Sequence, residues 1–177
     1  MYPLFRLVLV SLCAALSKPI PITSVSKATF RCMPWDLDMM FEMNNGRILT
    51  LYDLGRFDLT IRSSFFKHLL RKKWGVVVAG GSVRYRKRIR VFDKVTIHTQ
   101  IVGAEGRWIY ITQSMWVKEN PVSSVLFRTG VTSKGKAVPV DEVLKEMNIS
   151  NWQPQLPEWV NSWIDSEKLR PWPPLQK

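Results

Sequence analysis

Asp36, Asp38 and Glu42 come two and four residues apart, just ahead of Asn44-Asn45-Gly46, in the stretch "PWDLDMMFEMNNGRILTLYDLGR" (34–56). Carboxylates are the groups that take up a proton or attack an electrophilic carbonyl. Asparagine caps helices well. A helix start offers unpaired N–H groups and the positive end of the dipole. An acid held across from such a start suits a reaction that puts negative charge on a carbonyl oxygen. Gly46 adds no side chain that would block a ligand there. The plainer reading is an ordinary cap, since the dipole alone favours acids near an N-terminus. The residues by themselves leave both readings open.

Certain elements must position these groups. Residues 23–33 alternate loosely and read as a strand closed by Pro34, with 35–43 an irregular loop. From Arg47 the apolar residues Ile48, Leu51, Tyr52, Gly55 and Leu59 fall on one stripe, flanked by Leu49, Leu54, Phe57 and Ile61. A helix so widely apolar is largely buried. Gly55 inside it suggests close approach of another backbone. "FFKHLLRKKW" is a second helical piece. Strands are expected at 76–91, 94–103, 107–118 and 123–136, forming an antiparallel meander, with turns at 92–93, 104–106 and 119–121. In the first of these, Val83, Tyr85, Ile89 and Val91 share one face and Arg84, Arg86, Arg88 and Arg90 the other. A short helix follows Pro139 (141–147), then an amphipathic piece, "LPEWVNSWI", and a Pro-rich tail. The order implies an α+β fold in which a curved sheet wraps one long helix.

The chain has 177 residues, enough for one domain with a sizeable core. Its net charge of +12 favours anionic partners: nucleic acid, membrane surfaces or phosphorylated small molecules. No RNP-like or helix-turn-helix signature supports nucleic acid, so none is expected as a partner. Cys13 and Cys32 lack metal spacing and read as free thiols in a reducing, cytoplasmic setting. With only His68 and His98 besides, neither a metal site nor a metal cofactor is expected. No G-x-S-x-G elbow is present. His98 reads as a strand residue without a catalytic task, and His68 as an exposed residue of a basic helix. The apolar run from Leu7 to Leu16 is short of the roughly 20 residues of a membrane span. It is open to three readings: a helix docked on the domain or lying on a membrane surface, an anchor, or a cleaved signal. The organisation expected is an apolar segment at 1–21, a domain at 22–150 and a Trp/Pro-rich extension at 151–177.

Asp36-Leu37-Asp38 followed by Glu42-Met43-Asn44-Asn45-Gly46-Arg47-Ile48 resembles a motif of the hotdog-fold acyl-CoA thioesterases. The branch is the hydroxybenzoyl-CoA thioesterase-like one, and within it the group of small thioesterase superfamily member 6-type chains. There a D-x-D precedes H-M-N-N-[AG]-R-Y at the start of the central helix. The resemblance continues in "SVRYRKRIRVFDKVTIHTQIVG" and "RWIYITQSMW" and covers roughly residues 3 to 165. Three positions depart from the pattern. Glu42 stands where the family has His, Ile48 where it has Tyr, and Met40 where Asn or Gly is common.

The resemblance implies a hotdog fold and hydrolysis of an acyl-CoA or acyl-carrier-protein thioester, with CoA as part of the substrate and no separate cofactor. It implies Asp38 as nucleophile or base, and Asn45 and Gly46 as the oxyanion site. Asp36 is expected to be a support, binding backbone or an arginine. Asn44, Glu42, Gly80, Gly81, Ser82, Arg84 and Arg86 are candidate substrate-binding residues. Gly80-Gly81-Ser82 would give room to an acyl or pantetheine arm, or else mark a β-bulge. Arg84, Arg86, Lys87, Arg88 and Arg90 would meet CoA phosphates, or else form a solvated strand face. Edge-to-edge pairing implies a homodimer or homotetramer with the acyl tunnel at the subunit interface. The alternative is a non-catalytic hotdog protein holding an acyl thioester or lipid at a membrane, which the substitutions at Glu42 and Ile48 favour.

Overall fold

Alternation of buried and exposed residues builds the sheet. In β1 (Ser26–Arg31) and β3 (Lys94–Glu105) nearly every second side chain is buried. One face therefore turns to a core and the other to solvent. The computed structural model describes residues 2–152 and 154–174. Its remaining strands are β2 (Trp74–Tyr85), β4 (Trp108–Val117), β5 (Asn120–Ser133) and β6 (Lys136–Val138). They form one antiparallel sheet in the order β1-β3-β4-β5-β2, with β6 returning along β5.

The inner face of this sheet holds α2 (Asn45–Arg62), whose Ile48, Leu51, Tyr52, Leu54 and Leu59 are buried. The first four pack among Ala28, Phe30, Val95, Ile97, Met115, Val125 and other core residues, and Leu59 packs with Ile101 and Ile111. Each fully buried aliphatic side chain contributes about 1.5–3 kcal/mol, so Leu51→Ala alone would remove about 2–5 kcal/mol. Gly55 shows how close the helix lies. A Cβ there would stand 2.4 Å from Thr99 Oγ1 and 2.7 Å from Ile97 Cγ2. The seam also contains paired polar groups. Gln113 Nε2 donates to Tyr52 C=O and Thr99 Oγ1, and the Tyr52 and Ser123 hydroxyls are 2.7 Å apart. This is the hotdog arrangement that the sequence motif implies.

The other helices cover what remains. α1 (Leu4–Leu16) lies on α2 through Val10 and Ala14, with its other apolar side chains largely outward. Among the described residues no helix is long and apolar enough to cross a membrane. α3 (Phe65–Lys72) and α4 (Val140–Glu146) close one end, and α5 (Glu158–Leu169) sets Val160 and Ile164 on Tyr110 and Leu126 of the outer sheet face. Residues 153 and 175–177 of the expected extension lie outside the described residues.

Three expectations need correction. The strand expected at 76–91 ends at Tyr85, because Arg86 and Lys87 both donate to Val122 C=O and the ladder stops. The chain then turns, so Ile89 is buried while Val91 and the arginines around it are exposed. The strand expected at 123–136 is a hairpin that turns at Lys134-Gly135, both with positive φ. His68 is half-buried rather than exposed, because its Nδ1 lies 3.0 Å from Glu146 Oε1.

Candidate active site

The β1–α2 loop separates its two aspartates. A short 3-10 turn, Pro34–Asp36, drives Asp36 inward to 1% exposure. A carboxylate that deep requires partners. Arg6 of α1 supplies a two-pronged fork, Nη1 at 3.0 Å and Nη2 at 2.6 Å. Arg47 Nε lies 2.9 Å from Oδ1, and Met33 N–H donates to Oδ2 at 2.9 Å. The backbone C=O of Asp36 accepts from Asn44 N–H. Asp36 thus fastens α1, the loop and the first turn of α2 together, which is the support expected of it.

Beyond it the chain makes a small hairpin, bridged at Leu37 and Met43. Asp38 opens the turn. Its N–H donates to Glu42 C=O, and its C=O accepts from Phe41 N–H. Its Oδ1 accepts from Met40 N–H at 2.8 Å, the Asx-turn geometry natural to aspartate. Its Oδ2 has no partner among the described residues. Glu42 pairs with Arg88, Nε to Oε2 2.8 Å, tying this hairpin to the 86–93 turn.

Asn44 caps α2. Its Oδ1 accepts from Gly46 N–H at 2.9 Å and Arg47 N–H at 3.2 Å. The Asn45 N–H is left without an acceptor among the described residues. Tyr85, the last residue of β2, reaches this helix start by donating its hydroxyl to Asn45 C=O at 3.4 Å.

Asp38, Glu42, Asn44, Asn45 and Gly46 therefore come together at one end of α2. Ser82 and Arg84 do not join them. Side chains alternate along β2, and while Val83 packs into the core with Val125, its neighbours face the outer side of the sheet. Arg86 lies just past the end of the strand, exposed. Gly80 and Gly81 have structural reasons. The register of β2 against β5 shifts between Val78 and Gly80, and a Cβ on Gly81 would meet Leu126 C=O at 2.7 Å. Arg6 was not among the sequence candidates. Its one signal is a lone cation in an apolar run.

A second feature lies further along α2. Phe57, Leu59, Phe65, Leu69, Val76 and Val78 help to line an apolar cavity of about 310 Å³, at the lower end of the range for small-molecule sites. Asp53 and Arg56 stand at its wall as an ion pair. Arg56 stacks over Phe127, 4.2 Å from the ring centroid, and donates to Gln113. Burial and a hydrogen bond to Asp53 push the Tyr2 hydroxyl up to about 12.

Known proteins share this frame. The sequence profile of the thioesterase-like superfamily matches residues 32–148. Protein THEM6 of Xenopus laevis is 32% identical over 145 residues, 78% of this chain and 69% of its own. The structure of YbaW, a probable thioesterase from Escherichia coli, superposes with a TM-score of 0.64 at 20% identity, covering 70% of this chain and 96% of that one. DHNA-CoA thioesterase from Staphylococcus aureus superposes with a TM-score of 0.64 at 14% identity, covering 82% and 96%. With the hotdog frame, the D-x-D loop and the capped central helix all in place, the chain belongs to the thioesterase-like superfamily.

Proposed function

We propose that the chain hydrolyses an acyl thioester, acyl-CoA or acyl-ACP, to a free acid and a thiol, with Asp38 as the reacting carboxylate. The observation that carries this is the pairing of one free carboxylate oxygen on Asp38 with one open N–H, that of Asn45, at a helix start. The Asx turn fixes Oδ1 and leaves Oδ2 to attack the carbonyl or to take a proton from water. The Asn45 N–H and the helix dipole stabilise the oxygen as it gains charge. A thioesterase of similar fold whose substrate name contains CoA supports a CoA thioester, as does the basic surplus.

Assembly completes the reading. β2 is the last strand of the sheet, and Val76, Val77 and Val78 on it are each close to half exposed. An open apolar edge invites a second strand. Antiparallel pairing with the β2 of another copy would set the Tyr85 end of one strand beside the Val76 end of the other. Tyr85 touches the helix start that serves Asp38, and Val76 and Val78 line the apolar cavity. The reacting loop of one subunit would then face the acyl cavity of its partner.

A second reading has specific support. Ile48, where related chains carry Tyr, is buried in the core, and Glu42, where they carry His, is occupied by Arg88. A protein that binds thioesters without turnover would tolerate both changes. A panel of acyl-CoAs with thiol detection, run beside Asp38→Ala and Asp38→Asn, separates the two. Turnover by wild type that both variants lose is the expected result. Equal background rates in all three would end the enzyme reading.

A further inference from the structure

Two phenylalanines break local rules at the same end of the molecule. Phe41 and Phe92 sit in the left-handed region, at φ 58° and 64°. Glycine or asparagine is at ease there, whereas a bulky side chain strains the backbone. Burial does not offset that strain, since the two residues are 81% and 55% exposed. Phe41 belongs to the turn that Asp38 opens. Phe92 belongs to the adjacent turn, whose Ile89 C=O accepts from Met43 N–H and whose Phe92 N–H donates to Cys32 C=O. Trp35, Met39 and Met40 of the Asp38 loop are exposed as well. Arg6, clamped on Asp36, ties to this loop the first turn of α1, where Leu4 and Phe5 face outward. Apolar side chains kept outward at a backbone cost mark a contact surface.

Charge indicates the partner. Arg31, Arg86, Lys87, Arg88, Arg90 and Lys94 are all exposed on the segments that carry these side chains. The acids among them are mostly engaged: Asp36 is buried under two arginines, Glu42 pairs with Arg88, and Asp93 accepts from Arg90 N–H. Apolar tips within a cationic rim match an anionic bilayer. Aromatic and thioether side chains enter the boundary between headgroups and acyl chains, and Lys and Arg meet the phosphates. A second copy meeting this patch with its own is disfavoured, because that would bring the same cations face to face; the β2 pairing proposed above uses the strand edge instead.

We propose that this end of the molecule docks on an anionic lipid surface through Met39, Met40, Phe41 and Phe92, with Arg31, Lys87 and Arg90 against the headgroups. Docking in this way holds the Asp38 turn at the bilayer. On the thioesterase reading above, the enzyme then meets thioesters whose acyl chains are held in the membrane.

The test is co-sedimentation of the full chain with vesicles of phosphatidylcholine alone, or with about one-third phosphatidylserine. Binding is expected to the anionic vesicles only, and to weaken in high salt. Phe41→Asn combined with Phe92→Asn should lower it about tenfold or more. Asparagine tolerates the left-handed backbone, so the melting temperature should hold or rise, which separates lost docking from lost folding. Lys87→Glu with Arg90→Glu should also weaken binding. Anionic vesicles left unbound by wild type, or bound equally well by the phenylalanine variant, would overturn the proposal. So would a change in oligomeric state of that variant without lipid, which would make the patch an interface between copies. Acyl-CoA hydrolysis measured without vesicles reports on Asp38 alone. Binding without hydrolysis keeps the docking and discards the enzyme, and hydrolysis without binding does the reverse.

Discussion

Asp36 and Asp38 stand two residues apart in one loop and occupy opposite surroundings. Asp36 is sealed from water, and two arginines and a backbone N–H fill its oxygens. Asp38 is half-buried, with one oxygen held by Met40 N–H and the other free. A saturated carboxylate has nothing left to offer a substrate, but it can hold three segments in register. A half-saturated one is oriented and still able to react. The difference arises because the 3-10 turn points one side chain into the core and the Asx turn points the next toward solvent.

Exchanging each acid for its amide tests that division. Asp38→Asn should lower thioester hydrolysis by roughly 10²–10⁴-fold, the usual weight of a reacting acid or base, with little change in melting temperature. Asp36→Asn should do the reverse first. It leaves Arg6 and Arg47 without their buried counter-charge, and breaking such a pair costs about 3–5 kcal/mol. Urea midpoints read alongside rates would show the contrast. If Asp36→Asn spares stability and abolishes turnover, the roles assigned to the two acids are wrong.

Two glycines of α2 extend the contrast along the helix. Gly55→Ala would push a Cβ into Thr99, Gln113 and Ile97, at 2.4–2.7 Å. Overpacking of this kind costs about 1–3 kcal/mol and should appear in stability rather than in chemistry. Gly46→Ala meets only the Asn44 Oδ1, at 3.2 Å. Stability should stay within about 0.5 kcal/mol, because alanine suits a helix better than glycine. Turnover should fall about tenfold or more if the helix start receives the oxyanion. Unchanged turnover in Gly46→Ala would move the oxyanion site elsewhere.

Local signals carried the sequence reading as far as they reach. The cap at Asn44 and the stripe of α2 are written within a few residues of one another, and the fold bears them out; Gly55 is crowded as well, but by the side chains of Thr99, Gln113 and Ile97 rather than by another backbone. The end of β2 is not written locally. From Arg84 to Val91 every even position is a cation and the odd ones, Lys87 excepted, are apolar or aromatic, although the ladder stops where Val122 C=O takes two donors. Arg6 and His68 fail for a related reason. Their partners, Asp36 and Glu146, lie 30 and 78 residues away. Such pairings depend on how the elements dock and leave no periodic trace in the chain.

Glu146 shows whether enclosure or the number of cations makes a carboxylate structural. Like Asp36 it gathers several partners, here the cations Arg71 and Lys72 together with the His68 ring. Unlike Asp36, it does so near the surface, where the side chains of Arg71 and Lys72 stay exposed to water. Hydrogen bonds from His68 and then Arg71 hold its carboxyl down at about 2, against an ordinary 4.5. A depressed acid stabilises the fold while it is ionised. This contribution is therefore complete above about pH 4.5 and is lost as the pH falls toward 2. Glu146→Gln should remove the part of the acid unfolding curve that falls in that window, and salt should shrink the difference between variant and wild type. At neutral pH its effect should be the smallest of the set, well below that of Asp36→Asn, because solvent screens exposed pairs. Equal losses from the two substitutions would mean that the count of cations decides, and that burial of Asp36 is incidental to its role.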